Sequence, residues 1–159
     1  MKKTKIFLDT SVISHLDHPD KPDWTIETNR LWNDLINCEY EIVISDAVIE
    51  EISRCRDPKI LFLFEMLGKI EFIKLEINDS IEKIADEIIS LGVLTKKHRY
   101  DSLHIASAIY SQCKYLVSWN FDDLVNVTTN EGIKGVSFLK NYPQIEIVSP
   151  YNLRKKEES

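Results

Sequence analysis

The sequence predicts an α/β protein, a three-layer α/β/α sandwich on a short, mostly parallel five-stranded sheet. Two patterns predict it: five short apolar runs alternate with segments of helical periodicity, and the chain between runs is long enough for the helical crossovers that parallel neighbours need. The third is size. With 159 residues, and domains averaging about 150, we expect one domain over 1–150 and a charged C-terminal tail over 151–159.

Lys5 to Leu8 is an apolar run closed by Asp9, the first strand. His15 to Trp24 holds two prolines with Asp17, His18, Asp20 and Asp23, the composition of a surface loop. Thr25 to Asn37 carries Leu31, Trp32, Leu35 and Ile36 at helical spacing. Glu41 to Ile44 is a second strand, Asp46 to Cys55 a helix, and Lys59 to Leu67 another, entered through Asp57-Pro58. Ile70 to Leu75 is a third strand. Ser80 to Leu91 places Ile81, Ile84, Ala85 and Ile88 on one face of an amphipathic helix. Asp101 opens a helix through Gln112, Tyr115 to Ser118 is the fourth strand, Glu131 to Asn141 a helix, and Ile145 to Val148 the fifth strand. Arg154 to Ser159 should fray.

Composition removes several function classes. Lys plus Arg is 20 and Asp plus Glu 26, a net charge of −6, which argues against coating nucleic acid by bulk charge. Cys38, Cys55 and Cys113 are widely spaced and form no Cys-x-x-Cys pair, so neither a zinc site nor a disulfide framework is expected. The apolar run after Met-Lys-Lys-Thr-Lys is cut at Asp9, too short for a signal or a membrane span; a cytoplasmic protein with reduced thiols follows. With 4 glycines the chain shows neither a phosphate-binding loop nor a dinucleotide fingerprint.

In an open parallel sheet, chemistry collects outside the carboxyl ends of the strands. Asp9 ends strand one; Asn120, Asp122 and Asp123 follow strand four; Asp101 opens the helix leading into strand four. If strands one and four are neighbours, these groups share a cleft. On the helix from Asp46, Ala47, Val48, Ile49 and Ile52 define the apolar arc, and Glu51 projects at its edge. Glu50 projects away, four residues before Arg54, the spacing of a surface ion pair worth a few tenths of a kcal/mol. A Glu51 turned inward costs free energy unless a cation or donors meet it.

Carboxylates crowded in one cleft repel, and a hard divalent cation relieves that repulsion. Oxygen-only donors select Mg²⁺ or Mn²⁺ over Zn²⁺, and such a site activates water for attack on phosphorus. Each acid also has a structural role open to it: Asp9 as a cap of the following turn, Asp101 as an N-cap, Asp122-Asp123 as a solvated turn. His15 and His18 fall in a loop and His98 in a basic run, and no Gly-x-Ser-x-Gly accompanies them. His104, among apolar neighbours, reads as a satisfied core or supporting histidine, and Trp119 as core.

Four blocks occur in order: Phe7-Leu8-Asp9-Thr10-Ser11-Val12, Ile44-Ser45 with Glu51-Ile52, Tyr100-Asp101-Ser102-Leu103-His104-Ile105-Ala106, and Leu116-Val117-Ser118-Trp119-Asn120. Together they resemble the PIN domain of VapC-type toxin ribonucleases, from about Lys5 to Val148. The resemblance implies that Asp9, Glu51 and Asp101 are metal-binding acids. It puts Asn120 at a position that is often Asp, where Asp122 could reach in instead. It also implies an RNA substrate, Mg²⁺ or Mn²⁺, a homodimer and a small antitoxin partner. Arg54, Arg56, Lys96, Lys97, His98 and Arg99 would form a basic rim for phosphates. Two other functions compete. A phosphatase with an aspartate nucleophile would need a second Asp where Ser11 stands, and a catalytically weak RNA- or protein-binding regulatory module is encouraged only by Asn120.

Overall fold

The structure, a computed structural model, describes residues 2–158. Five strands form one sheet: β1 (Thr4–Leu8), β2 (Tyr40–Ser45), β3 (Ile73–Leu75), β4 (Tyr115–Val117) and β5 (Glu146–Val148). All neighbours are parallel and the order is β3-β2-β1-β4-β5. The chain winds outward from β1 through β2 to β3, then returns to the other side of β1 for β4 and β5. The switch point therefore lies between β1 and β4, where Phe7 pairs with Leu116 and Leu8 with Val117.

Among the described residues eight helices surround the sheet: α1 (Thr10–Ser14), α2 (Pro22–Ile36), α3 (Asp46–Ile52), α4 (Asp57–Leu67), α5 (Asp79–Ser90), α6 (Arg99–Tyr110), α7 (Val127–Lys140) and α8 (Pro150–Glu158). The strand order runs in opposite directions from β1, and crossovers of one hand, as parallel strands strongly favour, then place helices on both faces. α6 lies against β1, β2 and β4 with α5 packed on it; α2 packs on β2, and α8 joins α2. The core follows the strand pattern expected of a sheet covered twice: Ile6, Phe7, Leu8, Val43, Ile44, Leu116 and Val117 are fully buried. The stripe Ile81, Ile84, Ala85, Ile88 on α5 is buried as its spacing predicts.

Differences from the sequence reading have local causes. The expected loop from His15 to Trp24 holds a 3₁₀ turn, His15–Asp17, and the start of α2, because Pro22 occupies the first turn where its missing N–H costs nothing. Thr10–Ser14 is helical because Asp9 caps it. Asn126 caps α7, which therefore begins at Val127 rather than Glu131. The third strand shrinks to Ile73–Leu75 at the sheet edge. The expected frayed tail is helical through Glu158: Leu153 is buried, and Arg154 reaches the buried Glu27 through Nε at 3.0 Å and Nη2 at 2.9 Å. Ser159 lies outside the described residues.

Candidate active site at the β1–β4 switch point

Asp9 leaves β1 at its carboxyl end and is almost fully buried. Its Oδ1 accepts from the Ser11 hydroxyl at 2.6 Å and from the Val12 N–H at 3.2 Å, so it does cap α1. Ser11 also accepts from the Trp119 N–H at 2.8 Å, which fastens the end of β1 to the segment following β4. Burial raises the Asp9 carboxyl above its ordinary range, against the nearby His104 and the hydroxyls of Ser11 and Ser118, which lower it.

Glu51, near the end of α3, points inward as its helical phase requires, and Glu50 points out. The outer residue bonds Arg54 at 2.9 Å and the Tyr100 hydroxyl at 3.0 Å. The inner one is met by donors: Thr10 Oγ1 donates to Oε1, and His104 Nε2 lies 2.7 Å from the same atom. Burial pushes Glu51 up, but His104 and Thr10 outweigh it and hold the carboxyl below its usual range. His104 is thus a supporting histidine, buried on α6 one turn after Asp101.

Asp101 sits in the first turn of α6 behind His98, which is the cap position, so the N-cap role is not its own. Its carboxyl is pushed up to about 6, first by burial, opposed by His104, then by the charges of Asp9, Asp123 and Glu51. Those three acids converging on Asp101 identify the cleft that β1 and β4 enclose.

The turn after β4 places its residues differently from the sequence reading. Asn120 Oδ1 accepts the Asp123 N–H at 3.1 Å, an Asx turn that aims Asp123, not Asp122, toward the cleft. Asp122 is exposed, and it is Asp123 that acts on Asp101. His98 Nε2 lies 3.3 Å from Asp123 Oδ1 while its Nδ1 contacts Thr95 Oγ1 at 3.0 Å. Among the described residues, the three-residue group whose ligand atoms lie within 4.8 Å of one another is His98, Asp101 and Asp123. Asp9 and Glu51 stand outside it, and Glu51 is bonded to Thr10 and His104. Where the sequence suggested an oxygen-only set, the group that could hold a cation brings an imidazole beside the carboxylates. Carboxylates facing one another, with Asp101 raised by burial and by the charges of its neighbours, are a donor set that fits a divalent cation.

The basic rim is thinner than the sequence suggests. Arg54 is spent on Glu50 and Tyr100, and Arg99 bonds Asp86 at 2.6 Å; Arg56, Lys96 and Lys97 are exposed. Trp119 is core, its ring stacked on Trp24 at 4.7 Å and its Nε1 donating to Thr28 at 2.8 Å. The ligand set expected from sequence leaves out His98 and Asp123. For His104, the i, i+3 spacing from Asp101 is the signal that sets it beside the acids.

No protein-family model matches the chain, and no curated protein matches it. Solved structures do match. VapBC2 of Rickettsia felis, crystallised with a DNA fragment from its promoter, aligns with a TM-score of 0.56 at 15% identity over 92% of this chain and 98% of that one. VapC20 of Mycobacterium tuberculosis, a toxin that cleaves the sarcin-ricin loop, aligns with a TM-score of 0.57 at 16% identity over 74% of this chain and 91% of that one. The fold is the PIN-like α/β/α fold of VapC-type toxins.

Proposed function

We propose that this chain is a divalent-metal-dependent endoribonuclease, the toxin of a type II toxin–antitoxin pair. One observation carries the proposal: at the switch point Asp101 is half-buried and faced by Asp9, Asp123 and Glu51, and burial first, then those charges, push its carboxyl up to about 6, on a fold shared with a toxin that cleaves the sarcin-ricin loop.

Asp9 and Asp101 would hold the cation, with Glu51 and Asp123 flanking and His98 at the mouth. Bound Mg²⁺ or Mn²⁺ supplies activation of water and neutralises charge developing on the scissile phosphate. The chain's own contribution is placement. Ser11 and the Val12 N–H fix Asp9 through Oδ1. His104 and Thr10 keep Glu51 ionised and aimed. Asn120 orients the turn that presents Asp123. Asn120 is then a positioning residue, and Asp122 has no part in the site.

The same likeness supports a cytoplasmic homodimer held in check by a small antitoxin. Among the described residues no helix is long and apolar enough to cross a membrane. The test is cleavage of a fluorescent RNA with Mg²⁺, Mn²⁺ or chelator, beside inducible expression of the wild type and Asp9→Asn in a bacterium. Metal-dependent cleavage and growth arrest that Asp9→Asn abolishes are expected. RNA binding without cleavage under any metal would instead establish a regulatory binding module.

A further inference from the structure

Away from the acidic cleft, α7, β5 and α8 enclose a groove of about 860 Å³. Its charge runs against that of the chain. The whole sequence carries −6, whereas this groove is lined by Lys114, Lys134, Lys155 and Lys156 against Glu131 and Glu146. Lys156 and Glu146 pair at 3.1 Å, and Lys134 and Lys155 are exposed.

The chemistry of the groove discriminates between occupants. An extended peptide would add itself to the free edge of β5 through backbone hydrogen bonds. That edge is already taken: the Ile147 N–H donates to Asn130 Oδ1 at 2.9 Å, and Asn130 Nδ2 donates to the Ile147 carbonyl at 3.1 Å. What the groove still offers is a trough of cations open to solvent, which suits a polyanionic backbone. One end of it borders the turn after β4. Asn126 lines the groove and donates through Nδ2 to the carbonyls of Phe121 and Asp122, the turn that also carries Asp123.

Resting on the ribonuclease proposal, we infer that this groove holds the sugar-phosphate backbone of the RNA strand beyond the scissile phosphate, with Lys134 and Lys155 contacting phosphates. The contacts are electrostatic and position the strand without reading its sequence. A strand long enough to leave the cleft gains them, and a very short one does not.

The experiment uses the Asp9→Asn chain with Mg²⁺, so that RNA is held and not cut. Binding of single strands of about 20 and about 5 nucleotides is followed by fluorescence anisotropy between roughly 50 and 200 mM salt. Lys134→Gln with Lys155→Gln should weaken the long strand about tenfold at low salt. It should also reduce the slope of log K against log salt by roughly 1.4, at about 0.7 for each phosphate that a lysine no longer neutralises. The short strand should be unaffected. Lys69→Gln with Lys74→Gln, beside and on β3 at the opposite edge of the sheet, should change neither quantity. An unchanged slope for the groove pair, or an equal loss from the β3 pair, overturns the groove while leaving the ribonuclease proposal intact. A parent chain that binds neither strand removes both.

Discussion

Glu51 and Asp101 stand on helices that pack against each other, α3 and α6, yet their carboxyls are driven in opposite directions. Both are penalised by burial. Glu51 is answered by a hydroxyl and an imidazole, so its ionised form is favoured. Asp101 is surrounded by Asp9, Asp123 and Glu51 itself and is raised to about 6, with His104 only partly opposing. The difference teaches that one flank of the cleft is completed by the protein's own donors, while the other, on the proposed function, would be completed by a cation. A carboxylate met by a hydroxyl and an imidazole is held ionised by the protein; one faced chiefly by other carboxylates is a candidate cation site.

The largest effect should come from emptying the second flank. Asp9→Asn and Asp101→Asn should each lower RNA cleavage by a factor on the order of 10³ or more, because several kcal/mol of charge stabilisation are withdrawn. Single-turnover rates check this. Wild-type rates from either variant would separate the crowded acids from catalysis.

Next is the choice between the neighbours in the turn after β4. Asp123→Asn should weaken Mn²⁺ binding by roughly ten- to a hundredfold in a calorimetric titration, the scale of losing a supporting group at a metal site. Asp122→Asn should leave it within error, since Asp122 is exposed. Equal losses would mean that the Asx turn does not select Asp123.

Disturbing the completed flank should cost stability more than metal affinity. His104→Gln removes an imidazole 2.7 Å from Glu51, and hydrogen bonds to charged groups are worth about 1.5–3 kcal/mol. Urea unfolding should shift by about 2 kcal/mol, whereas Glu50→Gln, on the exposed side, should shift it by less than about 0.5 kcal/mol. If Glu50→Gln were the more damaging, the helical phase assigned to α3 would be wrong.

The smallest effect is a pH dependence whose sign differs between the two flanks. An acid raised in the folded state binds its proton there more tightly than in the unfolded chain, so metal-free stability should increase as pH falls from about 6 toward 4. Glu51, held low, acts the other way: its contribution is present above about 4.5 and is lost as pH falls below that. Thermal unfolding in chelator should therefore peak at about pH 4, where the Glu51 loss overtakes the Asp101 gain, and Asp101→Asn should flatten the limb between 4 and 6. A variant that keeps the full slope there would assign it to another group.

Much of this cleft was legible in the sequence because strand ends and helical phase obey simple periodicities. Asp9 follows an apolar run that must be buried, and Glu51 against Glu50 is decided by 100° per residue. Which of Asp122 and Asp123 faces in was hidden because a turn has no period; only the hydrogen bond from the Asp123 N–H to Asn120 decides it. The helical end of the chain was missed for a related reason. Its charged composition reads as solvated, and the partner that anchors Arg154, Glu27, lies 127 residues away on α2.

The central claim, that the acids around Asp101 are held in repulsion until a divalent cation joins them, is tested most directly by titrating the Asp101 carboxyl by ¹³C NMR with and without Mg²⁺. Without metal the midpoint should lie at about 6, and with saturating Mg²⁺ it should fall below the ordinary aspartate value of about 3.9. A midpoint already ordinary in chelator, and unmoved by Mg²⁺, would contradict the account.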